Sequence, residues 1–389
     1  MNLALYVHIP YCVTKCPYCD FNSYGVGDKV PEQRYTEALI KELSLYEKLL
    51  SKFKISSVYF GGGTPSLFSA QNIEKIISCI SSITTFFNNP EITVEVNPKT
   101  ADLKKFKSFR DIGVNRLSLG IQSFSERKLK FLGRLSNPAD NVQCIEEVLN
   151  CGINNFNVDL MYGTTDETFS EWESDLLNAT CFKPNHISAY CLTIESGTEF
   201  KKKFERGDLV LPDENTLTDM IDFTTEYLGQ KEYNQYEISN YCLTYYECLH
   251  NKFYWQGLNY LGIGAGAHSH LKSYDGSKWG QRWSNVKYPS RYMSFIQSNI
   301  VPVDKSETLS RLQAFEDDLM MGLRLMKGLD LDILYDRYNV NFDLYDSDYL
   351  FSEGLMSRSQ NTIKLSRKGI LVSDYIISRL LDKAVINTL

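Results

Sequence analysis

The stretch ALYVHIPYCVTKCPYCDF, residues 4–21, decides how this chain is read. Ala4–Ile9 is a short apolar run of strand type. Cys12, Cys16 and Cys19 follow in a C-x3-C-x2-C spacing, on a loop that also carries Lys15 and Pro17. No further cysteine appears until Cys79. Three thiolates on one short loop can hold three irons of a [4Fe–4S] cluster and leave the fourth iron open to a small molecule. A structural zinc site would close with four protein ligands, and none is at hand. Free cysteines that merely pack tend to sit singly in a core. Ten cysteines in 389 residues are too sparse for a disulfide scaffold, and three leave an odd thiol.

Working outward, strand-like and helix-like stretches alternate. Glu32–Phe53 has helical periodicity, with Leu39, Leu43 and Tyr46 on one face. Ser57–Phe60 reads as a strand ending at Gly61-Gly62-Gly63-Thr64-Pro65. Ile73–Ile83 reads as helix, Ile92–Val96 as strand, Asp102–Phe109 as helix and Arg116–Leu119 as strand. Asn137-Pro138 signals the start of a helix over Asn141–Asn150. Phe156–Leu160 is a strand, Phe169–Leu177 a helix and His186–Leu192 a sixth strand. Such repeats predict a parallel sheet curled into a partial (β/α)6 barrel. The cysteine loop, the glycine run, Glu95, Gln122 and Asp159 all fall at or near strand C-termini, the edge where barrels build their chemistry.

Lys201–Asn215 is charged and turn-like and reads as a boundary. Leu217–Leu228 looks helical, Leu309–Met326 reads as a long helix, and Thr362–Leu365 and Ile370–Val372 look β-like. The expected division is a barrel over 1–205, an aromatic-rich extension over 206–305 and a small winged-helix-like domain over 306–389. No repeat or low-complexity tract is present.

Hydrophobic residues make up 43% of the chain, ample for a sizeable core. The net charge of −7 argues against broad binding to nucleic acid or anionic membranes. No run approaches the ~20 apolar residues that span a bilayer. Residues 1–10 lack a basic stretch and cleavage site of the secretory kind. A cytoplasmic location is expected, which suits reduced thiols and an oxygen-sensitive cluster.

Gly61-Gly62-Gly63 after a strand lets backbone approach a ligand closely, and equally fits a tight turn. It matches neither a Walker loop nor a dinucleotide fingerprint. Glu95, Gln122, Arg134 and Asp159 supply a cation for a carboxylate and acceptors for an amine and hydroxyls, the set a zwitterionic ligand with a ribose requires. Taken singly, each is also an ordinary surface polar group.

Cys12-x3-Cys16-x2-Cys19, with Tyr18 before the last cysteine, resembles the radical S-adenosylmethionine (SAM) superfamily. That resemblance implies a [4Fe–4S] cluster whose open iron chelates SAM and cleaves it after one-electron reduction. Tyr6-Val7-His8-Ile9-Pro10, Gly61-Gly62-Gly63-Thr64-Pro65, Glu95-Val96-Asn97-Pro98, Gly120-Ile121-Gln122-Ser123 and Asp159-Leu160-Met161-Tyr162-Gly163 resemble the oxygen-independent coproporphyrinogen III dehydrogenase (HemN) family and its relatives. By that pattern Tyr6, Tyr18, Gly62, Gly63, Thr64, Glu95, Gln122, Arg134 and Asp159 contact SAM. Two features resemble the heme-chaperone, HemW-type branch. The dehydrogenase's fourth cysteine place is Phe21 here, and His250-Asn251-Lys252-Phe253-Tyr254-Trp255 matches the H-N-x-x-Y-W motif implicated in heme binding. The tract Gly262–Ser269 is shared more widely.

Imidazole is a common axial ligand of heme iron, and Phe253, Tyr254 and Trp255 offer flat apolar surface. Those six residues alone fit a core aromatic cluster around a hydrogen-bonded histidine just as well. His8, His186, His268 and His270 are the other candidate ligands, His8 being read as structural. The expected function is heme binding and transfer to an unidentified acceptor protein. The cluster, exchangeable SAM and a low-potential electron donor such as flavodoxin or ferredoxin would take part. The alternatives are coproporphyrinogen III dehydrogenation or another radical-SAM modification of a tetrapyrrole. A plain electron carrier would not need so large a barrel.

Overall fold

The computed structural model describes residues 1–27, 29–272, 276–342, 348–382 and 384–386. Six parallel strands form the frame: β1 (Asn2–Ile9), β2 (Lys54–Gly62), β3 (Thr85–Val96), β4 (Arg116–Gln122), β5 (Phe156–Tyr162) and β6 (His186–Cys191). The main helices between them are α1 (Glu32–Leu45), α2 (Ala70–Ile83), α3 (Leu103–Asp111), α4 (Pro138–Leu149) and α5 (Phe169–Cys181). Strand alternation sorts the faces. On β4, Leu117, Leu119 and Ile121 enter the core under the helices, while Arg116, Ser118 and Gln122 line the barrel cavity. The Asn137–Asp140 capping box starts α4 where the Asn-Pro signal predicts.

The arc does not close on itself. After α6 (Glu199–Glu205) and α7 (Glu214–Gln230), β7 (Asn240–Cys242) pairs antiparallel with β6. Beyond α8 (Leu249–Trp255), β8 (Tyr260–Ile263) pairs parallel with β1. Strands β9 (His268–Leu271), β10 (Gln281–Asn285) and β11 (Val303–Thr308) continue antiparallel into one 12-stranded sheet. The aromatic-rich stretch thus shares the barrel's sheet and core, with Leu261, Ile263 and Trp283 in the same cluster as Leu5 and Val58. A second core forms at the C-terminus, where Phe315 and Leu319 of α9 (Arg311–Gly322) pack with Leu334, Ile363 and Ile376. There the strands Leu329–Asp330, Thr362–Leu365 and Met356–Ser359 make a small antiparallel sheet beside helices, a winged-helix-like arrangement.

Four expectations are corrected. The helix expected over Glu32–Phe53 breaks at Tyr46, where a turn brings Leu49, Leu50 and Phe53 into the core. The stretch Lys201–Asn215 is turn-like only in its middle, since Lys201–Glu205 completes α6 and Glu214 and Asn215 open α7. Phe200 of α6 is buried against Phe131 and Tyr18, and Asp213 caps α7. Ile370–Val372 is not strand: Ser366 caps the helix Arg367–Ile370, and Leu371 and Val372 are exposed. The helix expected over Leu309–Met326 spans only Arg311–Gly322, because the Ser310–Gln313 capping box starts it and Leu325 bridges to Glu237 beyond it. Among the described residues, no helix is long and apolar enough to cross a membrane.

Candidate functional site

The cysteine loop is folded back on its own backbone. Tyr24 N–H donates to Pro10 O at 2.8 Å, Val26 N–H to Cys12 O at 2.9 Å and Cys19 N–H to Cys16 O at 3.2 Å. The glycine run is strapped beneath it: Gly63 N–H donates to Ile9 O and Thr64 N–H to Tyr11 O, both at 2.8 Å. A Cβ on Gly63 would lie 2.6 Å from Tyr11 O, a backbone atom that cannot yield. Gly62 has φ +112°, and a Cβ there would meet the His8 ring at 2.5 Å. Glycine is required at both places by close approach.

Behind the loop lies a cavity of about 750 Å³. Its wall includes all three loop cysteines, Tyr18, Gly62, Gly63, Thr64, Glu95, Gln122, Arg134 and Asp159. Of the residues expected to hold the cluster or contact SAM, only Tyr6 is not part of it, and His250 lies outside it too. Arg134 donates to Asn97 Oδ1 at 2.7 Å and Gly120 O at 2.6 Å, and its other arm reaches Cys16 Sγ at 3.8 Å. Glu95 accepts from Tyr59 OH and Gly62 N–H, both at 3.0 Å. Burial first, and then the Asp159 charge, push the Glu95 carboxyl up to about 7. Asp159 lies in the middle of β5 rather than at its end, and accepts from Asn157 at 2.8 Å and Ser118 at 3.2 Å. Burial raises its carboxyl as well. Gln122 closes β4 with φ +67°.

Tyr6 sits one layer further in. Its hydroxyl donates to His8 Nδ1 at 3.0 Å, and His8 Nε2 donates to Asn22 O at 2.9 Å, tying β1 to the end of the cysteine loop. Burial raises the Cys12 and Cys19 thiols. A bound iron would displace their protons, and the buried Arg134 guanidinium lies beside Cys16. Among the described residues no three His, Cys, Asp or Glu converge on a point suited to one lone metal ion. A cubane takes its thiolates at separate corners, so the loop, the cation and the glycine cradle fit a cluster with a ligand beside it.

The H-N-x-x-Y-W motif forms α8, at the far end of the barrel from the cysteines. Glu91 of β3 accepts from Leu249 N–H at 2.9 Å and His250 N–H at 3.0 Å, fixing the helix start. His250 is buried. Ser57 Oγ lies 2.9 Å from its Nδ1 and Tyr254 OH 2.8 Å from its Nε2, so both ring nitrogens are taken. Its ring stacks on Tyr59 at 5.0 Å, and burial pushes its pKa down to about 3. Here His250 is a core histidine with both partners satisfied. Iron ligation would require it to give one up. One side chain joins the two places: Tyr59 touches both His250 and Glu95. Trp255 at the other end of α8 stacks under the Arg324 guanidinium at 4.8 Å, joining the motif to the C-terminal core.

Three residues of the cavity wall are given no role of their own by the sequence. Asn97 links Thr64 to Arg134 and lay in plain view beside Glu95. Arg116, 2% exposed with an unpartnered Nε, and Asn251 also line the cavity. The polar/apolar alternation of Arg116-Leu117-Ser118-Leu119 was the available signal for the first of these.

A family model for the radical SAM superfamily matches residues 6–177. The solved structure of coproporphyrinogen III oxidase (HemN) from Escherichia coli superposes with a TM-score of 0.83, at 22% identity, over 97% of this chain and 90% of that one. Fold and site together define a radical SAM protein. Heme chaperone HemW of Haemophilus influenzae is 38% identical over 78% of this chain and 80% of its own length. Its counterpart in Escherichia coli is 38% identical over 75% of each chain. That of Mycobacterium tuberculosis is 30% identical over 97% of this chain and 94% of its own. The chain belongs to the HemW family.

Proposed function

We propose that this chain is a heme chaperone: it captures heme and hands it to an acceptor protein. The relatives named heme chaperone, 30–38% identical over most of the chain, supply the heme reading. The single structural observation behind the cofactor part is the cavity whose wall unites Cys12, Cys16 and Cys19 with Glu95, Arg134 and Asp159. Cys12, Cys16 and Cys19 would hold a [4Fe–4S] cluster, which when bound supplies a reducing iron with an open position. Arg134 would face the carboxylate of an exchangeable SAM, Gly62 and Gly63 would let its backbone-facing side come close, and Glu95 and Asp159 would take its amine and hydroxyls. Glu95, with its carboxyl near 7, can hold or release a proton there. The division into barrel (1–205), extension (206–305) and winged-helix-like unit (306–389), of which 343–347, 383 and 387–389 lie outside the described residues, belongs to the same reading. So do a reducing, cytoplasmic location and reduction by a flavodoxin- or ferredoxin-like donor.

The test uses one anaerobic, cluster-loaded preparation. It should bind hemin, bind SAM, and leave coproporphyrinogen III unconverted under reducing conditions. Conversion would make the chain a dehydrogenase, and absence of hemin binding would end the chaperone reading.

A further inference from the structure

The chain has five histidines, and the structure separates them sharply. His8, His186 and His250 are buried, and each has both ring nitrogens hydrogen-bonded within the protein. His270 is half-buried beside Tyr260, with its ring bonded to the Leu258 backbone. His268 alone is exposed, at the start of β9. An axial iron ligand needs a free imidazole nitrogen reachable from outside.

The surroundings of His268 suit a flat, dianionic macrocycle. Strand pairing sets His268 opposite Ser284, and Asn285 N–H donates to Ala267 O at 2.9 Å. This brings up Lys287, close enough for its charge to act on the His268 ring. Tyr288 follows, 65% exposed, with its ring 6.5 Å from that of Tyr24. An exposed ammonium is the partner for a propionate, and exposed tyrosine faces are the partner for a porphyrin ring. The patch adjoins the cysteine loop. Asn22 donates to Ala265 O at 2.8 Å and Lys287 O at 2.9 Å, and Gly266 leaves room only for that side chain, since a Cβ would meet it at 2.4 Å.

We propose that heme docks on this face, with His268 as its iron ligand, Lys287 at a propionate, and Tyr24 and Tyr288 against the ring. The inference rests on the heme-chaperone reading and moves the ligand from the H-N-x-x-Y-W helix to the Gly262–Ser269 tract. Asn22 then makes the dock part of the cluster loop's framework, so loss of the cluster should loosen it.

The test titrates hemin into the cluster-loaded chain and its variants, reading difference spectra in the Soret region. His268→Ala should weaken hemin at least tenfold and shift the band, with iron content and melting unchanged. Added imidazole should restore the band position. Lys287→Ala should weaken hemin several-fold but leave hemin dimethyl ester, whose propionates are masked, unaffected. His250→Gln should retain the wild-type band. Wild-type affinity and spectrum in His268→Ala would overturn this dock alone. A wild-type chain that binds no hemin would overturn the chaperone reading and the dock with it.

Discussion

His250→Ala is the most informative single change. It removes the shared partner of Ser57 Oγ and Tyr254 OH. An orphaned interior polar group costs about 1–3 kcal/mol. Ser57 is fully buried and falls at the upper end. Tyr254 is half-buried and falls at the lower end. Losing the ring stacked 5.0 Å from Tyr59 adds about 0.5–1.5 kcal/mol. The expected total is about 4.5–5.5 kcal/mol, a large share of the ~5–15 kcal/mol that holds a domain folded. Tyr59 also loses the surface that orients its hydroxyl toward Glu95, so SAM affinity should fall about tenfold, about 1.4 kcal/mol. His250→Gln, whose amide can both donate and accept, should recover at least half of the stability. Urea unfolding followed by far-ultraviolet circular dichroism gives the first quantity, and equilibrium binding of SAM to the reduced, cluster-loaded chain the second. A stability loss below about 1 kcal/mol would show that the two hydrogen bonds do not exist in solution. Unchanged SAM affinity in a destabilised variant would break the proposed link through Tyr59.

Replacing any of Cys12, Cys16 or Cys19 by Ala should abolish the brown chromophore and the ~4 irons per chain of a [4Fe–4S] cluster. Cys79→Ala and Cys144→Ala, on α2 and α4 away from the loop, should keep them; a triple loop variant with full iron content refutes the cluster assignment. Gly63→Ala presses a Cβ against Tyr11 O and should cost about 1–3 kcal/mol and lower iron loading. Gly229→Ala, in α7 with open space around it, should be neutral or stabilising by roughly 0.5–1 kcal/mol in the same urea assay. Glu42 accepts from Gly264 N–H, Asn285 and Tyr292 OH, and burial pushes its carboxyl from 4.5 up to about 7. Between those pH values the folded chain binds a proton that the unfolded chain lacks. This group therefore lowers stability as pH rises through the window, by up to about 3 kcal/mol. Glu42→Gln removes that titration, so its stability relative to wild type should climb from about pH 5 to about pH 8; a flat difference would contradict the assignment.

The sequence by itself determined the parallel barrel, the cysteine loop at its mouth and the family. Each is written in short-range pattern. Two-residue alternation on β4 states which face is polar, the Asn137-Pro138 pair states where α4 begins, and the C-x3-C-x2-C spacing states how many thiolates one loop can present. Periodicity reports the face a residue occupies but not what lies opposite it. That was decided only when distant segments met. His250 reads equally as iron ligand or core histidine until Ser57, 193 residues away, meets its ring and Glu91, 159 away, its backbone N–H. The Gly262–Ser269 tract looked unspecific until Asn22, 243 residues from Ala265, tied it to the cysteine loop. A buried polar group must find its partner wherever the fold brings one, and the same demand that satisfied His250 left His268 on the surface.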